Sequence, residues 1–205
     1  MNPVRDTSIT MVSDGMKVLQ LTTDMNIGGI TNYIFELSKA LKDKGVDTVV
    51  ASAGGDIEGS LEVKQNSMVP IAGGECLGTR YDFLRLISSR AVDIVQPDAC
   101  IVGGFTEMQR IIALANAHHL QCFPHVWGTN VAIAAALQLY AALPNVTGKS
   151  NPPEPFFEFD RSPNPLREMT TIEQFELKDS YIDIPQGPGL GITPNIDYLE
   201  ENAVK

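Results

Sequence analysis

Cysteine is scarce in this chain. Cys76, Cys100 and Cys122 are its only thiols. They are odd in number and form no CxxC pair, which excludes a disulfide framework and a cysteine-built metal knuckle. A reducing compartment, the cytoplasm, is the expected setting, and two of the three, in strand-like apolar surroundings, serve as small hydrophobes. Long apolar runs are missing as well. None approaches the roughly 20 residues that span a bilayer, and the opening MNPVRDTSITMVSDG has no signal-peptide core. Residues 1–15 therefore read as a disordered leader, with Met16 as the older start. Positive charge is also short: 15 Lys+Arg stand against 25 Asp+Glu, a net charge of -10. That balance argues against nucleic acid or an anionic membrane as partner and suits a metal cation. The remaining composition, 43% hydrophobic and 20% charged over 205 residues, is that of a globular protein with one large domain or two small ones.

What is present is an alternation of short apolar runs and helical spacings. Lys17 to Asp24 reads as a strand, Asn26 to Ile30 as a glycine-bearing turn, and Thr31 to Lys44 as a helix closed by Gly45. Val46 to Ala53 is a second strand, completing one β-α-β unit with a right-handed crossover. Glu58 to Ser67, EGSLEVKQNS, is polar and reads as a seam. Beyond it, Met68 to Cys76 is a strand ending in a glycine pair and a carboxylate. Tyr81 to Ser89 has helical spacing, with Tyr81, Leu84 or Arg85, and Ile87 or Ser88 on successive faces. Val92 to Val95 is a strand. Glu107 to His118 is a helix with Met108, Ile111, Ile112 and Ala115 inward. Gln121 to Phe123 is a strand, Gly128 to Leu143 a buried alanine-rich helix, and Pro155 to Phe159 a last strand. Such alternation predicts a parallel α/β arrangement. Two strands before the seam and four after it make six, so the sheet stays open, closes with six strands, or completes itself between chains. Exposed edges make a homo-oligomer the expected outcome of the last case.

The stretch VQPDACIVGGFTEMQRIIALANAHHLQCFPH, from Val95 to His125, carries the chemistry. Asp98 follows one strand and His125 follows the next, so the two side chains can meet at one edge of a parallel sheet. A carboxylate that orients an imidazole makes a base that works near neutral pH. The plain alternatives are an Asp98 that caps a turn after Pro97 and a His125 satisfied by backbone. Gly103 and Gly104 either bring the intervening loop close to a substrate or serve turn chemistry. Trp127 walls a pocket or packs under the tail. His118 and His119 suit a helix C-terminus, where positive charge is favoured.

From Ser67 onward the chain resembles the C-terminal half of the enolase-superfamily barrel, in its mandelate-racemase-like branch. VPIAGGE is similar to the fifth barrel strand, VDIVQPD to the sixth, QCFPHVWG to the seventh and PFFEFD to the eighth, with the tail DIPQGPGLGITPN following. The resemblance implies a partial TIM barrel whose active site lies at the C-terminal strand ends. It implies that Glu75 is the third ligand of a Mg²⁺ ion, that His125 and Asp98 form the base dyad, and that Glu158 hydrogen-bonds the enediolate intermediate. Glu154 and Asp160 lie close enough to Glu158 to compete for that match. Residues 16–62 resemble instead the opening β-α-β of a family 4 glycosyltransferase of the GT-B fold. That likeness would set Gly28 and Gly29 near a sugar-nucleotide phosphate. Read from the residues, they make a tight strand-to-helix turn.

These readings together describe a Rossmann/flavodoxin-like piece, residues 16–62, joined to an enolase-type half-barrel and tail, residues 63–205. The expected function is that of a remnant Mg²⁺-dependent enzyme that abstracts the proton next to the carboxylate of a sugar acid. Two metal ligands and a second-strand lysine are expected to be missing, which leaves activity weak or absent. A non-catalytic chimeric scaffold and a nucleotide-sugar-binding fragment are the alternatives.

Overall fold

The computed structural model describes residues 17–22, 29–52, 57–144 and 155–203. The expected leader at 1–15, together with Gly28 and Glu154, lies outside these residues. Strand β1 (Lys17–Thr22) is followed by α1 (Gly29–Asp43), β2 (Asp47–Ser52), α2 (Ile57–Asn66), β3 (Ile71–Gly73) and α3 (Arg80–Ser88). Then come β4 (Ile94–Val95), the single turn α4 (Ala99–Val102), α5 (Phe105–Ala117), β5 (Gln121–Cys122) and α6 (Asn130–Ala141). Two short helices, α7 (Pro165–Glu168) and α8 (Ile196–Glu201), punctuate the C-terminal segment. The strands form one parallel sheet in the order β1-β2-β3-β4-β5, so every neighbour in space is the next strand in sequence.

Side chains alternate across the strands, and the two faces build separate cores. Val50, Ile71, Val95 and Cys122 point to the helices and pack with Phe83, Leu86, Met108, Ile111 and Ala115. Val49, Ala72, Ile94 and Phe123 point the other way, toward Tyr140 and Phe156. Helix α5 buries Met108, Ile111, Ile112 and Ala115, the four positions its spacing predicts. Helix α6, apolar on most sides, buries Ile133, Ala134, Ala136, Leu137 and Leu139.

The structure departs from expectation at four places. The polar stretch read as a seam lies in helix α2, whose Ile57, Leu61 and Val63 pack on the core. Its Lys64 donates to the carbonyls of Arg90 and Val92, each at 2.9 Å, and pairs with Asp93 at 3.0 Å. Three apolar residues in ten make a weak stripe, so polarity hid the helix. Across that supposed seam β2 pairs directly with β3, Val50 opposite Ile71, and the sheet is continuous. In α3 the inward face is Phe83, Leu86 and Ile87, while Tyr81 and Leu84 are exposed. Phe83 outcompetes its neighbours because its ring offers the largest apolar surface to the sheet. Residues 155–159 are extended without strand pairing, which leaves five strands rather than six among the described residues.

The tail is held by side chains rather than by a sheet. Gln138 of α6 donates to the Pro185 carbonyl at 2.8 Å, and Asn130 to the Thr171 hydroxyl at 3.0 Å. Arg167, buried, donates to Asp160 at 2.6 Å and to the Ser162 carbonyl. Of the cysteines only Cys122 is buried; Cys76 and Cys100 are exposed, so a role as hydrophobe holds for Cys122 alone.

Candidate active site

The parallel register explains how the site assembles. Val95 lies opposite Cys122, and the ladder runs on past the strands, with Phe123 N–H donating to Val95 O at 3.0 Å and His125 N–H to Pro97 O at 3.1 Å. Asp98 stands three residues beyond Val95, and His125 three beyond Cys122. Equal offsets on neighbouring strands bring them together, and His125 Nδ1 lies 2.8 Å from Asp98 Oδ2. The other Asp98 oxygen accepts from Cys100 N–H at 2.7 Å and caps α4. Asp98 thus meets His125 with one oxygen and caps α4 with the other.

On the far side of the imidazole, Nε2 faces Glu75 Oε2 at 3.4 Å and Glu158 Oε2 at 3.8 Å. Glu75 arrives from the end of β3 through Gly74, where a φ of +112° and the Phe83 ring, 2.8 Å from where a Cβ would stand, make any side chain strained. Glu158 is buried. Its Oε1 accepts from Gln96 Nε2 at 2.7 Å and its Oε2 from Val126 N–H at 3.0 Å. Four of the residues singled out from sequence, Glu75, Asp98, His125 and Glu158, thus converge. Asp160 turns away to Arg167 and Ser162, and among the described candidate carboxylates Glu158 is the one that faces His125. Gly29 opens α1. Trp127 is 66% exposed. Gly103 and Gly104 have φ of +105° and +85° and link α4 to α5, so turn chemistry accounts for them. His118 closes α5, its carbonyl accepting from Arg90 at 2.7 Å.

Charge follows geometry. Burial disfavours the His125 imidazolium, but the Asp98 hydrogen bond, then the charges of Glu158, Glu75 and Asp98, outweigh it and hold its pKa above the ordinary value. Burial, aided by the charge of Glu75, raises Glu158 against the opposing pull of His125, Val126 and Gln96. Sequence reading missed Gln96 and Tyr140. Gln96 Oε1 is buried with no hydrogen-bond partner among the described residues. Its signal was a lone amide closing an apolar strand, two residues before Asp98. Tyr140 donates to backbone carbonyls on either side of the site and gave no signal beyond one hydroxyl in an apolar helix. Among the described residues no three His, Cys, Asp or Glu side chains are arranged to hold a metal ion. Glu75 is the one described carboxylate at this edge not tied to a backbone N–H.

The profile of the family described as "Enolase C-terminal domain-like" matches residues 11–198. This chain belongs to that enolase C-terminal domain family. The match starts ahead of β1 and crosses 58–68 without a break, so β1 and β2 fall inside the enolase-type domain. D-galactarolactone cycloisomerase of Agrobacterium fabrum is 46% identical over 145 residues, 71% of this chain and 38% of that protein. Arabinonate dehydratase of Saccharolobus solfataricus is 32% identical over 146 residues, 71% and 37% respectively. Among solved structures, the 3,6-anhydro-D-galactonate cycloisomerase from Zobellia galactanivorans superposes with a TM-score of 0.67 and 26% identity, covering 93% of this chain and 66% of that one. The enolase-type chain thus spans less than two fifths of the two sequence relatives. No helix among its described residues is long and apolar enough to cross a membrane.

Proposed function

We propose that the domain serves abstraction of the proton next to the carboxylate of a sugar acid or its lactone, followed by β-elimination. The observation that carries the reading is the 2.8 Å His125–Asp98 pair whose free nitrogen faces two carboxylates. With Nδ1–H donated to Asp98, Nε2 presents its lone pair to the substrate carbon. The carbon's proton moves to Nε2, its electron pair enters an enediolate, and Asp98 steadies the imidazolium. In a dehydration the same proton then returns to the departing hydroxyl, which leaves as water. Glu158, its pKa raised mainly by burial, is suited to share a proton with an enediolate oxygen. The cycloisomerase and dehydratases among the relatives support this reaction class.

A divalent cation would supply charge stabilisation of the enediolate when bound. Glu75 would be its first donor. In sequence, Asp24 follows the end of β1 by the same two residues by which Glu75 follows β3, and it is the second candidate, outside the described residues. Two strands, β1 and β2, precede β3 in the sheet, β2 paired directly with it, and their C-terminal ends are where further ligands would stand. The nucleotide-sugar role of Gly28 and Gly29 is not carried forward, since no observation favours it. The homo-oligomer expectation stays a proposal, with β1 and β5 as the edges.

The test is turnover of a panel of sugar acids and lactones with and without Mg²⁺, for the native chain, H125A and E75Q. Mg²⁺-responsive turnover that H125A abolishes supports the reading. Turnover indifferent to H125A would sink the assignment of the base. Absence of any turnover, with no Mg²⁺ binding tighter than about millimolar by titration calorimetry, would leave the domain a non-catalytic scaffold.

A further inference from the structure

Residues 155–159 deliver Glu158 to the site, yet no strand pairing holds them. Their fastening is found on α6. The Tyr140 hydroxyl reaches the Pro124 carbonyl at 3.1 Å and the Phe156 carbonyl as well. Pro124 immediately precedes His125, and Phe156 lies two residues before Glu158. The Tyr140 ring meets Phe157 edge-on at 5.0 Å, and Phe156 meets Phe123 in the same manner at 6.1 Å. A phenol has one proton, so the two carbonyls share it or take it in turn. Either way the hydroxyl bridges the turn after β5 and the segment beside it. Burial, with the nearby Glu158 charge, pushes the phenol well above its ordinary pKa, so it remains a donor wherever the protein is folded.

We propose that Tyr140 is a positioning residue that clasps the turn before His125 to the segment before Glu158. The clasp sets the Glu158 carboxylate on the Val126 N–H, within 3.8 Å of His125 Nε2. Glu158 accepts two bonds, from Gln96 and Val126, but both grip its side chain. Tyr140 grips the backbone two residues earlier, at the Phe156 carbonyl, and so sets where that side chain begins. The importance of this placement rests on the proton-abstraction reading above; the clasp itself does not.

Amide hydrogen exchange by NMR tests it without substrate. Three neighbouring amides are compared: Phe123, bonded to Val95 O; His125, bonded to Pro97 O; and Val126, bonded to Glu158. In the native protein all three are protected. In Y140F, Val126 should lose at least tenfold more protection than Phe123 and His125, matching the pattern of E158A. In E158A/Y140F the second change should add nothing at Val126. A uniform fall at all three amides would mean that the hydroxyl only stabilises the fold and would overturn the proposal, as would an unchanged Val126. Should Y140F fail to fold, the native protein still decides: a slowly exchanging Tyr140 hydroxyl proton must appear in tyrosine-labelled samples, and its absence refutes the clasp. If the exchange pattern holds and no sugar acid is turned over, the clasp stands and the catalytic reading falls.

Discussion

Asp98 performs two tasks with two oxygens, and substitution can separate them. Asp98→Ala removes both. The lost N-cap bond to Cys100 costs about 1 kcal/mol, and the lost bond to a charged, buried imidazole about 1.5–3 kcal/mol. Their sum is about 2.5–4 kcal/mol, a large share of a typical domain's stability. Asp98→Asn keeps an oxygen for the cap and should lose only the second part. The pH dependence follows from His125, whose folded pKa lies above the ordinary value, chiefly through Asp98 once burial is overcome. A raised pKa gives stability that is complete below about 6.5 and fades as pH rises through the folded value. The deficit of Asp98→Asn should therefore be widest at pH 5.5 and smaller at pH 8.5, shrinking toward about 1 kcal/mol once the imidazole is neutral. Urea melts of the native chain and both variants at the two pH values measure this, provided the m-values agree. Equal deficits for Asn and Ala at both pH values would refute the division of labour, and a pH-independent Asn deficit would refute a charged imidazole. The asparagine amide would also favour the wrong tautomer, so any turnover should fall far more than stability does.

Two further outcomes follow from named contacts. Gly74→Ala should destabilise by at least about 1–3 kcal/mol, since its Cβ meets the Phe83 ring and its φ is positive; a thermal shift under 2 °C would mean that the ring yields freely. Asp160 is held down to about 2, first by the Ser162 N–H and hydroxyl and then by Arg167. Its contribution is thus present above the ordinary carboxylate range and lost as pH falls from about 4 toward 2. Asp160→Asn should be less stable than the native chain at pH 6 and converge with it near pH 2, followed by circular dichroism; parallel curves would show that the pair contributes nothing.

Where the site depends on local rules, the sequence was readable. Asp98 and His125 lie at equal distances past two apolar runs, and in a parallel sheet equal distance means adjacency. Helix α5 was legible because its four core residues recur at helical spacing. Helix α2 was not, because it borrows its stability from Lys64 reaching three groups in the turn before β4. The segment PFFEF is aromatic-rich like a strand, but Phe156 and Phe157 serve different aromatic contacts and the backbone pairs with no strand among the described residues. Gln96 and Tyr140 escaped for the opposite reason. Their partners lie 62 and 16 residues away, and no local pattern encodes them.

The sequential strand order has a consequence for how this molecule comes into being. Paired residues are separated by 30 positions between β1 and β2 (17 to 47), 21 between β2 and β3 (50 to 71), 22 between β3 and β4 (72 to 94) and 27 between β4 and β5 (95 to 122). No strand waits for a distant partner, and the entropy of closing each loop is nearly the same. Such a sheet can grow in one direction as the chain leaves the ribosome, each helix-strand unit docking on the one before it. Glu75 and Asp98 precede β5, whereas His125 and Glu158 follow it, so the candidate site is completed only after all five strands have emerged.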